Sequence, residues 1–142
     1  MIRKNAVSGM GSIRTLAALM LLLIPWGLGT AAAADRLVTE KDSGAVVELA
    51  PGDNLNVVLA GNPTTGYNWY VESVDRAVLL EAGEPFFRRD SGLIGAGGEV
   101  TFSFQAAAPG RTTLKLIYHR IFEKNVPPLK THEMTVVVKP SP

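Results

Sequence analysis

From residue 54 onward, apolar side chains recur at every second position in one short segment after another. "NLNVVLA" (54–60) puts Leu55, Val57 and Leu59 on one face, and "YNWYVE" (67–72) does the same with Tyr67, Trp69 and Val71. "EVTFSFQA" (99–106) aligns Val100, Phe102, Phe104 and Ala106. "TTLKLIYH" (112–119) aligns Leu114, Leu116 and Tyr118, and "EMTVVVK" (133–139) aligns Met134, Val136 and Val138. A period of two is that of a β-strand with one buried face. "RLVTE" (36–40) and "AVVEL" (45–49) add two shorter strands, while "AVLLE" (77–81) and "EPFFRR" (84–89) are less regular. Pro85 marks the last of these as an edge or a strand start, because proline cannot donate to a ladder.

Turn chemistry separates the segments: "PGDN" at 51, "GNPTTG" at 61, "GAGG" at 95, "APG" at 108 and "NVPP" at 125. No stretch of 12 residues keeps a 3.6-residue period. Short alternating strands in about 100 residues predict an all-β chain, an immunoglobulin-like antiparallel β-sandwich. Its two inner faces would pack ~10 Å apart around one core. The sequence shows no internal repeat, linker or low-complexity segment.

The N-terminus follows a different pattern. Arg3, Lys4 and Arg14 precede the apolar run Leu16 to Ile24, and small residues at 31–34 follow. Basic, then apolar, then small is the order of a secretory signal peptide, here with an A-x-A cleavage match at Ala32 to Ala34. The alternative is an uncleaved anchor over 16–34. Its strongly apolar part is nine residues long, against the ~20 a span needs. The expectation is a signal peptide at 1–34 and a domain at 35–142, exported to a bacterial periplasm or secreted, and free of the membrane once cleaved. Three of the 14 basic residues leave with the signal, so 11 face 13 acidic ones and the net charge becomes −2. That balance excludes the basic footprint of a nucleic-acid binder. The chain has no cysteine, so neither disulfides nor lipid attachment through a thiol enters. An exported domain without disulfides fits a periplasm better than a cystine-stapled secreted fold.

Catalytic chemistry has little to stand on, and no catalytic residue, metal or cofactor is expected. His119 and His132 are the only histidines, and both are expected to be solvated strand positions. With Glu133 they are too few for a zinc site, and no G-x-S-x-G elbow is present. "GAGG" (95–98) lacks the glycine at 100 and the following helix that a phosphate-binding loop needs.

Three loops have compositions unusual for connectors. In 61–66, Asn62 can cap a turn, Pro63 fixes φ, and Gly66 releases the chain, leaving Thr64 and Thr65 at a stiff crest. Such stiffness lowers the ordering cost of binding. The plainer reading is a chain reversal. In 90–98, "RRDSGLIGAGG" (88–98) carries Leu93 and Ile94 among Gly95, Gly97 and Gly98, as an exposed apolar tip or as a long hairpin folded onto the sheet. In 120–130, Arg120, Ile121 and Phe122 follow a strand. Arg and aromatics are enriched at binding hot spots, though Phe122 could equally tuck into the core and Arg120 pair with an acidic neighbour.

"NPTTGY" (62–67) followed by Trp69, "GAGG" before a strand, and Tyr118-x-Arg120-x-Phe122 occur here in one order across nearly the whole domain. Together they resemble the chagasin-type inhibitors of papain-like cysteine proteases. The resemblance implies an immunoglobulin-like fold whose three loops form a wedge that plugs the protease cleft. Asn62, Pro63, Thr64, Thr65 and Gly66 would then meet the catalytic centre. Leu93, Ile94, Gly95, Gly97 and Gly98 would lie along the cleft, and Arg120 and Phe122 would contact the opposite wall. The family's third loop has Arg-Pro-aromatic, whereas Ile121 stands at the proline here, which implies a less pre-organised loop. The implied protein is a monomer and a reversible competitive inhibitor with a papain-like protease as partner. The competing expectation is a periplasmic carbohydrate- or polymer-binding sandwich, which would need a flat row of exposed aromatics. A module that pairs through a sheet edge is a third.

Overall fold

The structure is a computed structural model and describes residues 33–141; apart from Ala33 and Ala34, the expected signal segment lies outside the described residues. Nine strands follow in chain order: β1 (Asp35–Thr39), β2 (Val46–Leu49), β3 (Asn54–Gly61), β4 (Tyr67–Ser73), β5 (Leu79–Glu81), β6 (Phe86–Arg89), β7 (Gly98–Ala106), β8 (Gly110–Arg120) and β9 (Lys130–Val138). They form two sheets. One runs β1-β3-β7-β5, with β6 also on β7, and the other runs β2-β9-β8-β4.

The alternation in the sequence is what closes the sandwich. Leu55, Val57 and Leu59 of β3 and Phe102 and Phe104 of β7 are buried against Leu114, Leu116 and Tyr118 of β8 and Met134, Val136 and Val138 of β9. Burial of such side chains is worth about 1.5–3 kcal/mol each before chain entropy is counted. Trp69 is 7% exposed within this core, and its Nε1–H donates to Ala60 O at 2.9 Å.

Two features depart from expectation. The sandwich is not wholly antiparallel, because β1 pairs parallel with β3 and β2 pairs parallel with β9. Between β1 and β2 the chain passes through the 3-10 turn at Glu40–Asp42, changes sheet and reverses, so β1 runs with β3 toward the Gly61 end and β2 runs with β9 away from it. His132 is the other departure. It is buried (2% exposed), not solvated, because it continues the inward parity of Val138, Val136 and Met134. His119 faces the other side of its strand and meets the Tyr70 ring edge-on at 4.9 Å.

β5 and β6 take successive halves of one edge of β7: Leu79 pairs with Ala106, and further along Arg89 pairs with Gly98. Four register pairs then fix one end of the sandwich. Gly61 pairs with Gly98, Arg89 with Gly98, Tyr67 with Arg120, and Tyr118 with Lys130. The three loops singled out by composition leave the sheets from these pairs and so emerge together.

Candidate functional site

The crest is a single 3-10 turn, Pro63–Thr65. Proline occupies its first position, where a missing N–H costs nothing and φ is pre-set. Asn62 caps it, accepting the Thr64 N–H on Oδ1 at 3.2 Å. Gly66 ends it in the left-handed region at φ 86°, which favours glycine.

Every backbone N–H of the crest is used internally. Asn62 N donates to the Tyr118 hydroxyl (2.9 Å), Thr65 N to Asn62 O (3.2 Å), Gly66 N to Pro63 O (3.0 Å) and Tyr67 N to Thr65 Oγ1 (3.3 Å). The threonine hydroxyl protons are spent as well. Thr64 Oγ1 donates to Asn62 Oδ1 at 2.5 Å, and Thr65 Oγ1 donates to Asn62 O at 2.7 Å. Both acceptors lack protons, so the donor in each bond is fixed. What the crest presents outward is therefore methyl groups, the proline ring and oxygen lone pairs. Its threonines and backbone can accept hydrogen bonds but have no proton left to offer without breaking one of their own, and the second Nδ2 proton of Asn62 is the remaining donor.

The other two loops are tied to this crest. Asn62 Nδ2 donates to Gly95 O at 3.0 Å, joining the first loop to the second. Arg120 Nε donates to Thr65 O at 3.1 Å, joining the first to the third. The second loop spans 90–97 and closes on Asp90 N to Gly97 O (3.0 Å) and Ala96 N to Leu93 O (3.2 Å). Gly95 adopts φ 79° there, which turns the chain so that Leu93 and Ile94 stand exposed at the tip. In the third loop Phe122 stays 68% exposed, resting one edge over Gly66, where an added Cβ would lie 3.3 Å from its ring. Ile121, Val126 and Leu129 are exposed beside it.

The site residues are thus brought to one end of the fold, with different local roles. Gly97 has room for a Cβ, 3.4 Å from Gly61 O. Gly98 is buried at the start of β7, where a Cβ would collide with the Arg88 carbonyl. The backbone approach it permits is to β6, inside the sheet. Sequence reasoning missed Tyr118 as part of the site. Its inward parity marked it as core, and only the packing of one sheet on the other shows that its hydroxyl reaches the crest. Among the described residues no cluster of His, Asp or Glu could hold a metal ion.

An immunoglobulin-like sandwich with three loops braced through the first at one end defines a binding protein that presents a preformed edge. Comparison with known proteins gives that class a family: residues 48–136 match the model of the chagasin family peptidase inhibitors, I42, and the chain belongs to that family. It is similar to chagasin from Trypanosoma cruzi, 33% identical over 87 residues that cover 58% of this chain and 79% of the relative. Similarity to amoebiasin-2 from Entamoeba histolytica is 31% over 108 residues, covering 75% and 88%. Among solved structures, the Entamoeba histolytica cysteine protease inhibitor EhICP2 superposes with a TM-score of 0.70 at 26% identity, covering 78% of this chain and all of that one. The protein is accordingly a peptidase inhibitor and not an enzyme.

Proposed function

We propose that the chain inhibits papain-like cysteine proteases reversibly and competitively, by seating its three-loop end in the active-site cleft. The observation that carries the reading is the concentration of braced, unusual surface at one end. Leu93, Ile94, Ile121, Phe122, Val126 and Leu129 are all exposed on the two loops that flank the crest. Exposed apolar groups gathered on loops held this firmly suit a partner. Family membership and the inhibitor EhICP2 supply the partner's class.

In this reading Asn62, Pro63, Thr64, Thr65 and Gly66 meet the catalytic centre. Leu93 and Ile94, with Gly95 and Gly97 behind them, lie along one wall. Phe122, backed by Arg120, meets the other. A plug at a catalytic centre must escape cleavage, and the crest does so in two ways. A scissile peptide is presented extended, whereas residues 63–65 are helical. An attacked carbonyl must also place its oxygen on the protease's own donors. Here Asn62 O, Pro63 O and Thr65 O already accept bonds from Thr65 N, Gly66 N and Arg120 Nε. Polar contacts of the two threonines then run one way, from donors on the protease to oxygens on the inhibitor.

The basic, apolar and small-residue order of 1–34 supports export with cleavage after Ala34, so the acting form is residues 35–142. The carbohydrate-binding alternative loses its platform, because Trp69, the one tryptophan of that form, is core. The test is titration of papain with residues 35–142. Competitive, reversible inhibition with the inhibitor recovered intact supports the wedge. No inhibition at high micromolar concentration, or digestion of the inhibitor, overturns it.

A further inference from the structure

We infer that Arg120 is a positioning residue, holding the third loop in its binding shape from inside the inhibitor. The inference rests on the wedge reading above and assigns one residue's part in it. An arginine beside an exposed aromatic at a binding edge would ordinarily be taken as a direct contact to the partner. The surroundings of this guanidinium argue otherwise.

Its head is engaged on several sides at once. One face lies over the Tyr67 ring, 4.3 Å from the centroid, and the Phe122 ring stands 5.9 Å away. Nε donates to Thr65 O in the first loop, and Nη1 is 3.6 Å from Glu123 Oε1 in the third. The Tyr67 platform is itself fixed, since it stacks on Tyr118 at 5.3 Å. The backbone joins in: Arg120 O accepts the Glu123 N–H at 3.1 Å and closes the first turn of the loop. A guanidinium that swung out to take a protease carboxylate on Nε and Nη1 would have to leave its stack and release the crest and Glu123.

The third loop needs such a strut. Residues 121–126 contain no proline, and Asn125 adopts φ 59°, the only positive φ outside glycine among the described residues. Cross-linked by Arg120 to the crest and to Tyr67, this stretch is stiffened by a side chain in place of a ring in the backbone. Lysine could not replace the arginine, because it lacks the planar head that stacks and donates from Nε together.

A strut and a contact leave different kinetic marks. Loss of a strut lowers the fraction of inhibitor in the competent shape, and apparent affinity falls by that fraction. Loss of a contact mainly speeds dissociation. The experiment measures association and dissociation with papain for wild-type 35–142, Arg120→Ala, Arg120→Lys, Ile121→Pro and the double variant Arg120→Ala/Ile121→Pro. Amide hydrogen exchange over 121–126 is followed in each free inhibitor. The expected result is an association rate about tenfold lower for both Arg120 variants, a dissociation rate changed less than twofold, and faster exchange in the loop. Proline at 121 should change little in the wild type and restore most of the association rate in the Arg120→Ala background. Faster dissociation with association and exchange unchanged would overturn the strut, as would full affinity in Arg120→Lys or no rescue by proline. If wild-type protein fails to inhibit papain, the wedge reading falls. The exchange comparison then decides the strut alone: faster exchange in Arg120→Ala upholds it, and unchanged exchange removes it.

Discussion

The hydroxyl of Tyr118 accepts the backbone N–H of Asn62 at 2.9 Å, so the crest hangs from a side chain rooted in the core of the second sheet. Removing that oxygen leaves a partly buried N–H without its partner, which typically costs about 1–3 kcal/mol. Tyr118→Phe should therefore lower the melting temperature and weaken papain inhibition together, while Trp69 emission stays blue-shifted. Unchanged inhibition would mean that the crest keeps its shape without this bond.

The two threonines, equivalent in sequence, are ranked by their bonds. Thr65 Oγ1 both donates to Asn62 O and accepts from Tyr67 N, whereas Thr64 Oγ1 makes only the bond to Asn62 Oδ1. At about 1 kcal/mol per neutral hydrogen bond, Thr65→Val should destabilise the fold more than Thr64→Val. Denaturant midpoints of the two variants settle the order.

Phe122→Ala removes a mostly exposed aromatic that has little burial in the free protein to lose. It should leave stability nearly unaltered and weaken binding by ~2 kcal/mol, mostly by faster dissociation. Side by side with Arg120→Ala, it separates an anchor from a strut in one kinetic series.

Gly97 and Gly98 are neighbours with opposite prospects. Gly97→Ala fits its surroundings and should spare the melting temperature while obstructing close backbone approach to the protease. Gly98→Ala drives a methyl into the Arg88 carbonyl and should cost several degrees in melting temperature. Thermal scans and inhibition constants of the pair report the two effects independently.

His132 gives the fold an acid dependence. Burial pushes its pKa below the ordinary value, Nε2 has no hydrogen-bond partner, and the carboxylates of Asp42 and Glu40 only partly oppose the shift. With the folded pKa depressed, the unfolded chain takes up the proton first. The stability concerned is fully present above the unfolded pKa of about 6.5 and is lost as pH falls towards the folded value. His132→Leu should flatten the melting temperature between pH 7.5 and 5. An unchanged slope would assign the acid sensitivity to the carboxylates.

Much of this was legible in advance because a two-residue period is a local signal. Leu55, Val57, Leu59, Leu114, Leu116 and Val136 are buried as their parity predicts. His132 and Thr112 obey the same parity and are buried too, but polarity masked it; Thr112 Oγ1 earns its place by accepting Asp75 N at 2.8 Å. The crest's turn was readable from Asn62, Pro63 and Gly66, since each acts on its own backbone. The bracing was not. Tyr118 meets Asn62 across 56 residues and Arg120 meets Thr65 across 55, and no local pattern encodes which strands will lie side by side.

The order of the second sheet bears on how the molecule comes into being. β2 has its ladder partner in β9, the last of the described strands, and β8 leans on β9 as well. A ribosome delivers residues 130–138 after the other eight strands. Until then β2 has no strand to hydrogen-bond with, and β8 has one bare edge. Pairings so distant in sequence are slow to close, so the domain should assemble as one late event. Termination before residue 130 would leave β2 and β8 without the strand between them, and would yield no inhibitor.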